Sequence, residues 1–308
     1  MIKTSFLFIL IKYFFFPLIL SVFLTLALIK ISKKLNISVS LNKDRWHKSL
    51  VSNLGGIAIF LSFLVPFLII EARLKNHYYL LLPFFLIFTL GLLDDFFNLK
   101  PSVKLIFQII AAVMLIHQGF FFSASGTNLI DFSLSLIWII GITNAFNLID
   151  NMDGLSGGIA FICGLSIFSF FMIQNNSQGT ILPLILCASV LGFLFFNFPP
   201  AKIFMGNSGS YFLGISFSIV SFQVFSNSRT QIIPLILFLF LIFFVPTFDT
   251  LFVFIRRTFS NKLFFRGGCD HISHTLVEYG LSERKTVFLL YTVNLISCAL
   301  AISLNFLI

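Results

Sequence analysis

Four groups of polar residues interrupt an otherwise apolar sequence, and each has a composition suited to phosphates or metal ions. The first group is the adjacent pair Asp94 and Asp95, followed by Lys100 and Lys104. Two neighbouring carboxylates at a membrane boundary repel one another and lose hydration unless a cation or solvent offsets their charge. The pair therefore indicates Mg²⁺ ligands or a base beside a metal, and the lysines could hold phosphate oxygens. The alternative is a solvated helix end.

The second group is a run of amides and carboxylates that closes one apolar segment and opens the next. It consists of Asn144, Asn147, Asp150, Asn151 and Asp153, followed by glycines 154, 157 and 158. Glycines let the backbone approach a ligand closely, and hard oxygen donors suit a Mg²⁺–diphosphate complex. Because such a run is costly at a bilayer edge, we predict a nucleotide or metal site here, with simple capping of helix ends as the alternative.

The third group combines glycine, asparagine and serine where an apolar segment begins after two prolines. Gly206, Asn207, Ser208 and Ser210 fit a cradle in which backbone N–H groups at a helix N-terminus bind phosphate. An ordinary Ser or Asn helix cap explains these residues equally well when the segment is considered alone.

The fourth group places two histidines three residues apart in the longest polar loop. His271 and His274 follow Asp270 and would lie on one side of a helical turn. They could ligate a metal, transfer protons or bind a diphosphate as cations, and an exposed pair without a role is the alternative. Zinc is not expected, because no soft ligands accompany the histidines at a recognisable spacing.

Two smaller features lie outside these groups. A basic and aromatic run that ends at Lys48 either binds anionic groups or anchors the chain at the membrane interface. Asp249 lies inside an apolar segment three residues after Pro246. A lone acid in such a segment indicates a functional position, and the proline predicts a kink that could open a lipid-facing groove.

The elements that must position these groups are membrane-spanning helices. Of the 308 residues, 58% are hydrophobic and only 10% are charged. Apolar runs long enough to cross a bilayer core of about 30 Å recur along the chain. We therefore predict an all-α fold, a single domain over residues 1–308, with 45 phenylalanines facing lipid. The predicted spans number about ten: 8–30, 54–70, 78–93, 104–122, 131–146, 156–173, 180–198, 210–226, 232–255 and 286–307.

The distribution of positive charge predicts the orientation. Of the 20 lysines and arginines, 15 lie in or next to the loops 31–53, 94–103, 147–155, 199–209 and 256–285. The positive-inside rule places these loops in the cytoplasm and both termini outside, with the first span retained rather than cleaved. All four polar groups fall on this face of the plasma membrane. The net charge of +9 is thereby explained without nucleic acid. The four scattered cysteines predict neither a disulfide framework nor a zinc site.

In this order, the segments resemble the polyprenyl-phosphate N-acetylhexosamine-1-phosphate transferase family over essentially the whole chain. The matching strings are RWHK…LGG, LDD…K, NAFNLIDNMDGLSGG, LGFLFFN…FMGNSGS and DHISHTLVEYGLSERK. The resemblance implies a Mg²⁺-dependent membrane enzyme, with Mn²⁺ as an alternative ion. Such an enzyme transfers an N-acetylhexosamine 1-phosphate from a UDP-sugar to undecaprenyl or another polyprenyl phosphate and releases UMP. The product starts a cell-envelope glycan such as lipopolysaccharide.

The last string favours UDP-N-acetylglucosamine as donor, with UDP-N-acetylmuramoyl-pentapeptide ranked second. A one-step transfer with Asp94 or Asp95 as base and a two-step route through a phospho-enzyme both stay open, as does a homodimer. The patterns and the resemblance together give three sets of site residues. The catalytic set is Asp94, Asp95, His271 and His274. The substrate-binding set is Lys48, Lys104, Asn144, Asn147, Asp150, Asn151, Gly206 and Ser208. The metal set is Asp94, Asp150, Asp153 and Asn207.

Asn207 departs from the family pattern, which has aspartate at this position of FMGD-x-GS as a Mg²⁺ ligand. Asparagine keeps a carbonyl oxygen but loses the charge, so metal affinity should fall. The main hypothesis is an active enzyme with a raised metal requirement, and the alternative is an impaired relative that binds lipid or nucleotide. A transporter or flippase is disfavoured, because its polar residues should lie near the bilayer midplane.

Overall fold

The computed structural model describes residues 10–36, 51–74, 78–123, 127–227, 232–260, 268 and 270–305, and every regular element in these ranges is helical. The all-α prediction is confirmed. The helices are α1 (Phe16–Lys34, continued from a π-helical turn at Ile11–Phe15), α2 (Gly55–Leu74), α3 (Leu81–Phe97, after a 3₁₀ turn at Tyr78–Leu80), α4 (Pro101–His117), α5 (Asn128–Leu148), α6 (Leu155–Ile173), α7 (Ile181–Asn197), α8 (Gly206–Asn227), α9 (Ile232–Ile242), α10 (Phe244–Phe259), α11 (Ile272–Glu278) and α12 (Glu283–Asn305).

Each predicted span overlaps a helix, but some ends differ. Helix α3 continues to Phe97, so Asp94 and Asp95 lie in its last turn rather than in the loop beyond it. Helix α4 starts at Pro101, whose fixed φ suits a first helical position, and ends well before residue 122. Within the described ranges, six helices are long and apolar enough to cross a membrane, and a bent pair makes a seventh. Three shorter apolar helices accompany them. The number of ten spans stays a prediction.

Helix α8 forms the centre of the bundle. It packs against α2, α3, α5, α6 and α7, and most of its residues are buried. The hydroxyls of Ser216, Ser218 and Ser221 donate to carbonyls of the same helix, so they are satisfied inside the apolar interior. Gly91 of α3 lies against the backbone of Ser208, where a Cβ would collide. This small residue lets α3 approach the N-terminal end of α8 closely.

Phenylalanine fills the core as well as the lipid-facing surface, so the expectation that it faces lipid was wrong in part. Phe60 and Phe63 of α2 are buried, and each ring centroid lies 5.1 Å from that of Phe212 of α8. Phe97 and Phe195 are exposed, as expected. The expectation failed because a chain so rich in phenylalanine must also pack its interior with it.

The predicted span 232–255 is two helices rather than one. Helices α9 and α10 meet at an 88° bend around Phe243. Pro246 lies one turn beyond the bend, and its missing N–H leaves the carbonyl of Ile242 without a helical partner. The predicted kink is therefore confirmed, and it is sharp enough to separate two helices.

Side chains from α6 and α12 bind the backbone groups that the bend releases. Asn294 accepts a hydrogen bond from the N–H of Val245 at 3.1 Å, and Cys163 donates to the carbonyl of Ile242 at 3.1 Å. Ser297 donates to the carbonyl one residue earlier at 2.7 Å. An unsatisfied backbone group in an apolar phase costs several kcal/mol, so these contacts stabilise the bend. We call Cys163, Asn294 and Ser297 the bend clamp.

Candidate active site

Asp95 caps the N-terminus of α8 from another helix. Its Oδ1 accepts the N–H of Asn207 at 2.8 Å, and its Oδ2 accepts the N–H of Ser208 at 3.1 Å. Free N–H groups and the positive end of the helix dipole favour a carboxylate at this position. Gly206 enters the helix with φ 74°, and a side chain there would meet the Asp95 carboxylate. The two N–H groups predicted to cradle phosphate are therefore occupied by Asp95.

Asp94 fixes the turn between α3 and α4. Its side chain is almost completely buried, Oδ1 accepts the N–H of Leu99 at 2.9 Å, and Oδ2 lies 2.7 Å from Nζ of Lys104. A buried carboxylate needs such a cationic partner. Lys104, which was predicted to bind phosphate, thus neutralises Asp94. The Lys104 side chain is 27% exposed.

Asn147 joins the second polar group to the third. From the last turn of α5, its Nδ2 donates to Oδ1 of Asn207 at 2.7 Å and to Oγ of Ser210 at 3.0 Å. Asn207 therefore contacts Asp95 through its backbone and Asn147 through its side chain. One turn earlier, Asn144 forms a reciprocal amide pair with Gln108 of α4, with bonds of 2.8 and 3.2 Å. Asn144 is thus a link between helices.

The loop after α5 connects the remaining segments. Oδ1 of Asn151 accepts the hydroxyl of Ser273 at 2.7 Å, which ties this loop to the histidine helix α11. Asp153 accepts the N–H of Ala201 at 2.8 Å and so holds the proline loop that precedes α8. Asp150 is half-buried beside them. Contacts between side chains and backbone thereby join all four predicted groups, while Lys48 lies outside the described residues.

Asp249 is paired with His271 rather than isolated. Its Oδ2 lies 2.7 Å from Nδ1 of His271, and its Oδ1 accepts the N–H of Ile272 at 2.8 Å. Asp249, His271 and His274 are all buried, and the two histidine ring centroids are 6.0 Å apart. The histidine pair is therefore not an exposed one. The aspartate partner was missed because 22 residues separate it from His271 and no local spacing indicates the contact.

An apolar cavity of about 340 Å³ lies between α5 and the bent pair α9 and α10. Its wall includes Ile137, Trp138, Gly141, Ile236, Phe240 and Thr250. Thr250 directly follows Asp249 in α10, so the cavity reaches the helix that carries the histidine partner. A groove next to the predicted kink is consistent with the expectation from Pro246.

Comparison with known proteins identifies the family. The model of glycosyl transferase family 4 matches residues 77–225. A probable undecaprenyl-phosphate N-acetylglucosaminyl 1-phosphate transferase of Bacillus subtilis is 37% identical over 276 residues, which covers 84% of this chain and 75% of the relative. The chain belongs to glycosyl transferase family 4.

Two other relatives come from Thermotoga maritima. An undecaprenyl-phosphate alpha-N-acetylglucosaminyl 1-phosphate transferase is 32% identical over 303 residues, covering 94% of this chain and 89% of the relative. A phospho-N-acetylmuramoyl-pentapeptide-transferase is 31% identical over 309 residues, covering 93% and 96%. The family 4 chain is a transferase and a multi-pass membrane protein.

The carboxylates of this family 4 chain are largely engaged by protein donors, which limits how it could hold the Mg²⁺ implied by the resemblance. Among the described residues, no three His, Cys, Asp or Glu side chains form a group that could hold a metal. Asp94 is paired with Lys104, and Asp153 accepts a backbone N–H. Mg²⁺ in nucleotide enzymes often uses one or two carboxylates, with substrate phosphates and water as the other ligands. The residues fit an ion that arrives with a diphosphate better than one held by protein alone.

Proposed function

We propose that the chain transfers N-acetylglucosamine 1-phosphate from UDP-N-acetylglucosamine to undecaprenyl phosphate and releases UMP. The lipid diphosphate sugar would start a cell-envelope glycan. The observation that carries the proposal is the 37% identity to the Bacillus subtilis transferase over most of the chain. The contacts that unite the four polar groups support it, because a phosphotransfer site must gather residues from distant segments.

The proposed arrangement has ten spans in the plasma membrane, with the site on the cytoplasmic face and both termini outside. It is supported by the basic residues that accompany the polar loops. Cysteine probes at Ser102 and Ser177, introduced after replacing the four native cysteines, test this topology. Labelling of the two positions from opposite sides is expected, and labelling from the same side would overturn it.

The apolar cavity is the proposed place for part of the polyprenyl tail. The cavity wall is almost entirely apolar, and the cavity lies beside a helix bend. A polyprenyl chain could therefore enter it from the bilayer. The lipid phosphate would then lie toward Asp249 and the loop after α5. This position would bring an embedded acceptor to a soluble nucleotide sugar.

In the proposed reaction, the lipid phosphate attacks the β-phosphorus of the donor, so the sugar keeps its 1-phosphate. Positioning and charge stabilisation dominate such transfers. Mg²⁺ would neutralise the diphosphate and make UMP a better leaving group, and Asp94, Asp150, Asp153 and Asn207 are the residues that would hold it. Asn147 orients the Asn207 side chain, and Asp95 holds the helix end that carries it. Asn151 keeps the histidine helix against the same loop.

UDP-N-acetylmuramoyl-pentapeptide is the second candidate donor, because a phospho-N-acetylmuramoyl-pentapeptide-transferase is 31% identical over nearly the whole chain. It ranks second since the transferases of N-acetylglucosamine 1-phosphate include the relative with 37% identity. Purified protein should be given each donor with undecaprenyl phosphate and Mg²⁺, and lipid product and UMP should be measured.

The matched variants for this assay are Asp150→Asn and Asp131→Asn. Asp150 follows the C-terminal end of α5, whereas Asp131 is a buried acid in the first turn of the same helix. We expect product from UDP-N-acetylglucosamine, a large loss in Asp150→Asn and near wild-type activity in Asp131→Asn. Product from the pentapeptide donor alone would replace the first proposal with the second, and no product from either would refute both.

A further inference from the structure

We propose that Asp249 is a positioning residue that holds His271 as its Nδ1–H tautomer, so that Nε2 exchanges a proton with the acceptor phosphate. The inference rests on the proposed function and deepens it by naming the group that moves the proton. It assigns a role to an acid that the sequence alone shows only as an isolated carboxylate in an apolar helix.

The geometry leaves Asp249 little freedom. One carboxylate oxygen accepts the backbone N–H of Ile272 at 2.8 Å, and the other lies 2.7 Å from Nδ1 of His271. An ionised carboxylate can only accept hydrogen bonds, so Nδ1 carries the proton when Asp249 is ionised. In the neutral ring, Nε2 then has the free lone pair. A carboxylate behind a histidine fixes the tautomer and orientation in this way in many active sites.

The other acids predicted as the base have different partners. Both oxygens of Asp95 accept backbone N–H groups of α8, and Asp94 is held by Leu99 and Lys104. A proton on either carboxylate would take one of its oxygens away from these contacts. His271 can take a proton and at the same time strengthen its contact with Asp249, because the imidazolium and the carboxylate then form an ion pair.

The position of the pair suits this role. Ser273, two residues after His271, donates its hydroxyl to Asn151 in the loop that belongs to the nucleotide and metal group. Thr250, which follows Asp249 in α10, lines the cavity proposed for the lipid tail. Neighbours of the Asp249–His271 pair therefore contact both the segment assigned to the donor and the cavity assigned to the acceptor.

The proposed step couples a proton transfer to the phosphoryl transfer. The P–OH of the lipid phosphate gives its proton to Nε2 of His271, and the phosphate oxygen forms a bond to the β-phosphorus of the donor. The bond between the β-phosphorus and the bridging oxygen breaks, and its electron pair leaves with UMP. The imidazolium then returns the proton to the UMP phosphate or to water, and His271 is again neutral.

A spectroscopic test is independent of catalysis. Long-range ¹⁵N spectra of protein labelled at histidine, with His271→Gln used for assignment, report the tautomer directly. We expect the Nδ1–H form in wild type and the Nε2–H form in Asp249→Asn, because the asparagine amide would donate to Nδ1. An Nε2–H signal in wild type, or no change in Asp249→Asn, would overturn the positioning role even if transfer is efficient.

A kinetic test addresses the proton transfer. Asp249→Asn should lower kcat by about 100-fold, the scale of a lost proton-transfer group, while KM for both substrates changes little. Asp249→Glu keeps the charge and should recover part of kcat, and Asp131→Asn is the control for changing a buried acid. Equal kcat in wild type and Asp249→Asn would refute the inference. An inactive wild type would refute the proposed function, while the tautomer result would still stand.

Discussion

Two aspartates, the half-buried Asp95 and the buried Asp249, each have two hydrogen-bond partners across the bundle, but these partners differ. Asp95 accepts two backbone N–H groups at the start of α8. Asp249 accepts one backbone N–H and contacts one imidazole nitrogen. Backbone donors never change protonation state, whereas the imidazole can gain or lose a proton. The first carboxylate is therefore suited to hold structure and the second to support a reaction.

The surroundings of the two acids follow the same division. Asp95 lies where α2, α3 and α5 pack tightly on α8, with glycine at the close contact. Asp249 lies in α10, just beyond a helix break and beside an open cavity. A carboxylate in a dense region fixes backbone, and one beside a cavity remains near space that a substrate could enter.

The largest expected effect comes from Asp95→Asn. The amide of asparagine can accept a hydrogen bond from only one of the two N–H groups, those of Asn207 and Ser208. Its own NH₂ group would then face the other N–H group. We expect the free energy of unfolding to fall by about 2 kcal/mol and most activity to be lost, since a charged helix cap is removed. Thermal unfolding in detergent and the transfer assay measure both.

The outcome for Asp95→Asn also separates structure from chemistry. Asp131→Asn serves as the control for a buried acid that does not cap α8. A variant of Asp95 with wild-type stability and no activity would show that this acid acts in the chemical step, and the contrast with Asp249 would then fail.

Asn294→Leu has the next largest expected effect, and it tests whether the bend clamp holds the helix bend near Asp249. Leucine removes the acceptor for Val245 N–H within an apolar region, so we expect a loss of about 1 to 3 kcal/mol. Because the bend shapes the cavity, KM for the lipid acceptor should rise more than KM for the donor. Thr292→Val, an exposed position on the same helix whose hydroxyl bonds only within α12, is the matched control. Equal stability of the two variants would mean that the clamp does not hold the bend.

Asn207→Asp adds a negative charge at the N-terminal end of α8, next to Asp95. Aspartate keeps the acceptor for Asn147 and adds a negative charge where Mg²⁺ is proposed to bind. We expect the Mg²⁺ concentration for half-maximal transfer to fall by about tenfold, as expected for an added anionic ligand. A metal titration of both proteins measures it. An unchanged or raised requirement would indicate that repulsion from Asp95, which holds the backbone of the same residue, outweighs the gain. Activity in the variant with none in wild type would show an impaired natural enzyme.

The smallest expected effect belongs to Gly141→Leu in the cavity wall. Nothing lies within 4 Å of a Cβ at this position, so the leucine fills open space without a clash. KM for undecaprenyl phosphate should rise by a few fold, about 1 kcal/mol of lost apolar contact, with KM for the donor unchanged. A change in donor KM alone would place the acceptor elsewhere.

Much of the fold followed from hydropathy, because a long apolar run has few alternatives to a helix. Pro246 also predicted the break in the span at 232–255 from the missing N–H alone. The ends of α3 and α4 were less accurate. Polar residues such as Asp94 can belong to a helix when a partner from the next element satisfies them, and hydropathy does not register this.

The site was predicted as a set of segments but not as a set of contacts. Local spacing identified Asn147, Asn151 and the histidine pair, since each lies in a dense polar run. It could not show that Asp249 contacts His271 or that Lys104 neutralises Asp94. Those pairings depend on how helices pack, and the sequence indicated the individual residues but not which of them would pair. Whether Asp94, Asp150, Asp153 and Asn207 bind Mg²⁺ stays a prediction.

The bend clamp has a consequence for how the protein is assembled during synthesis. Asn294 and Ser297 belong to α12, which enters the membrane after α9 and α10 have been made. Until α12 arrives, the carbonyls and the N–H at the bend lack these two partners in a medium without water. The bent pair should therefore reach its final shape only once the later helix docks. The insertion machinery would have to shelter α9 and α10 through that interval, and the cavity beside them would be among the last parts of the molecule to form.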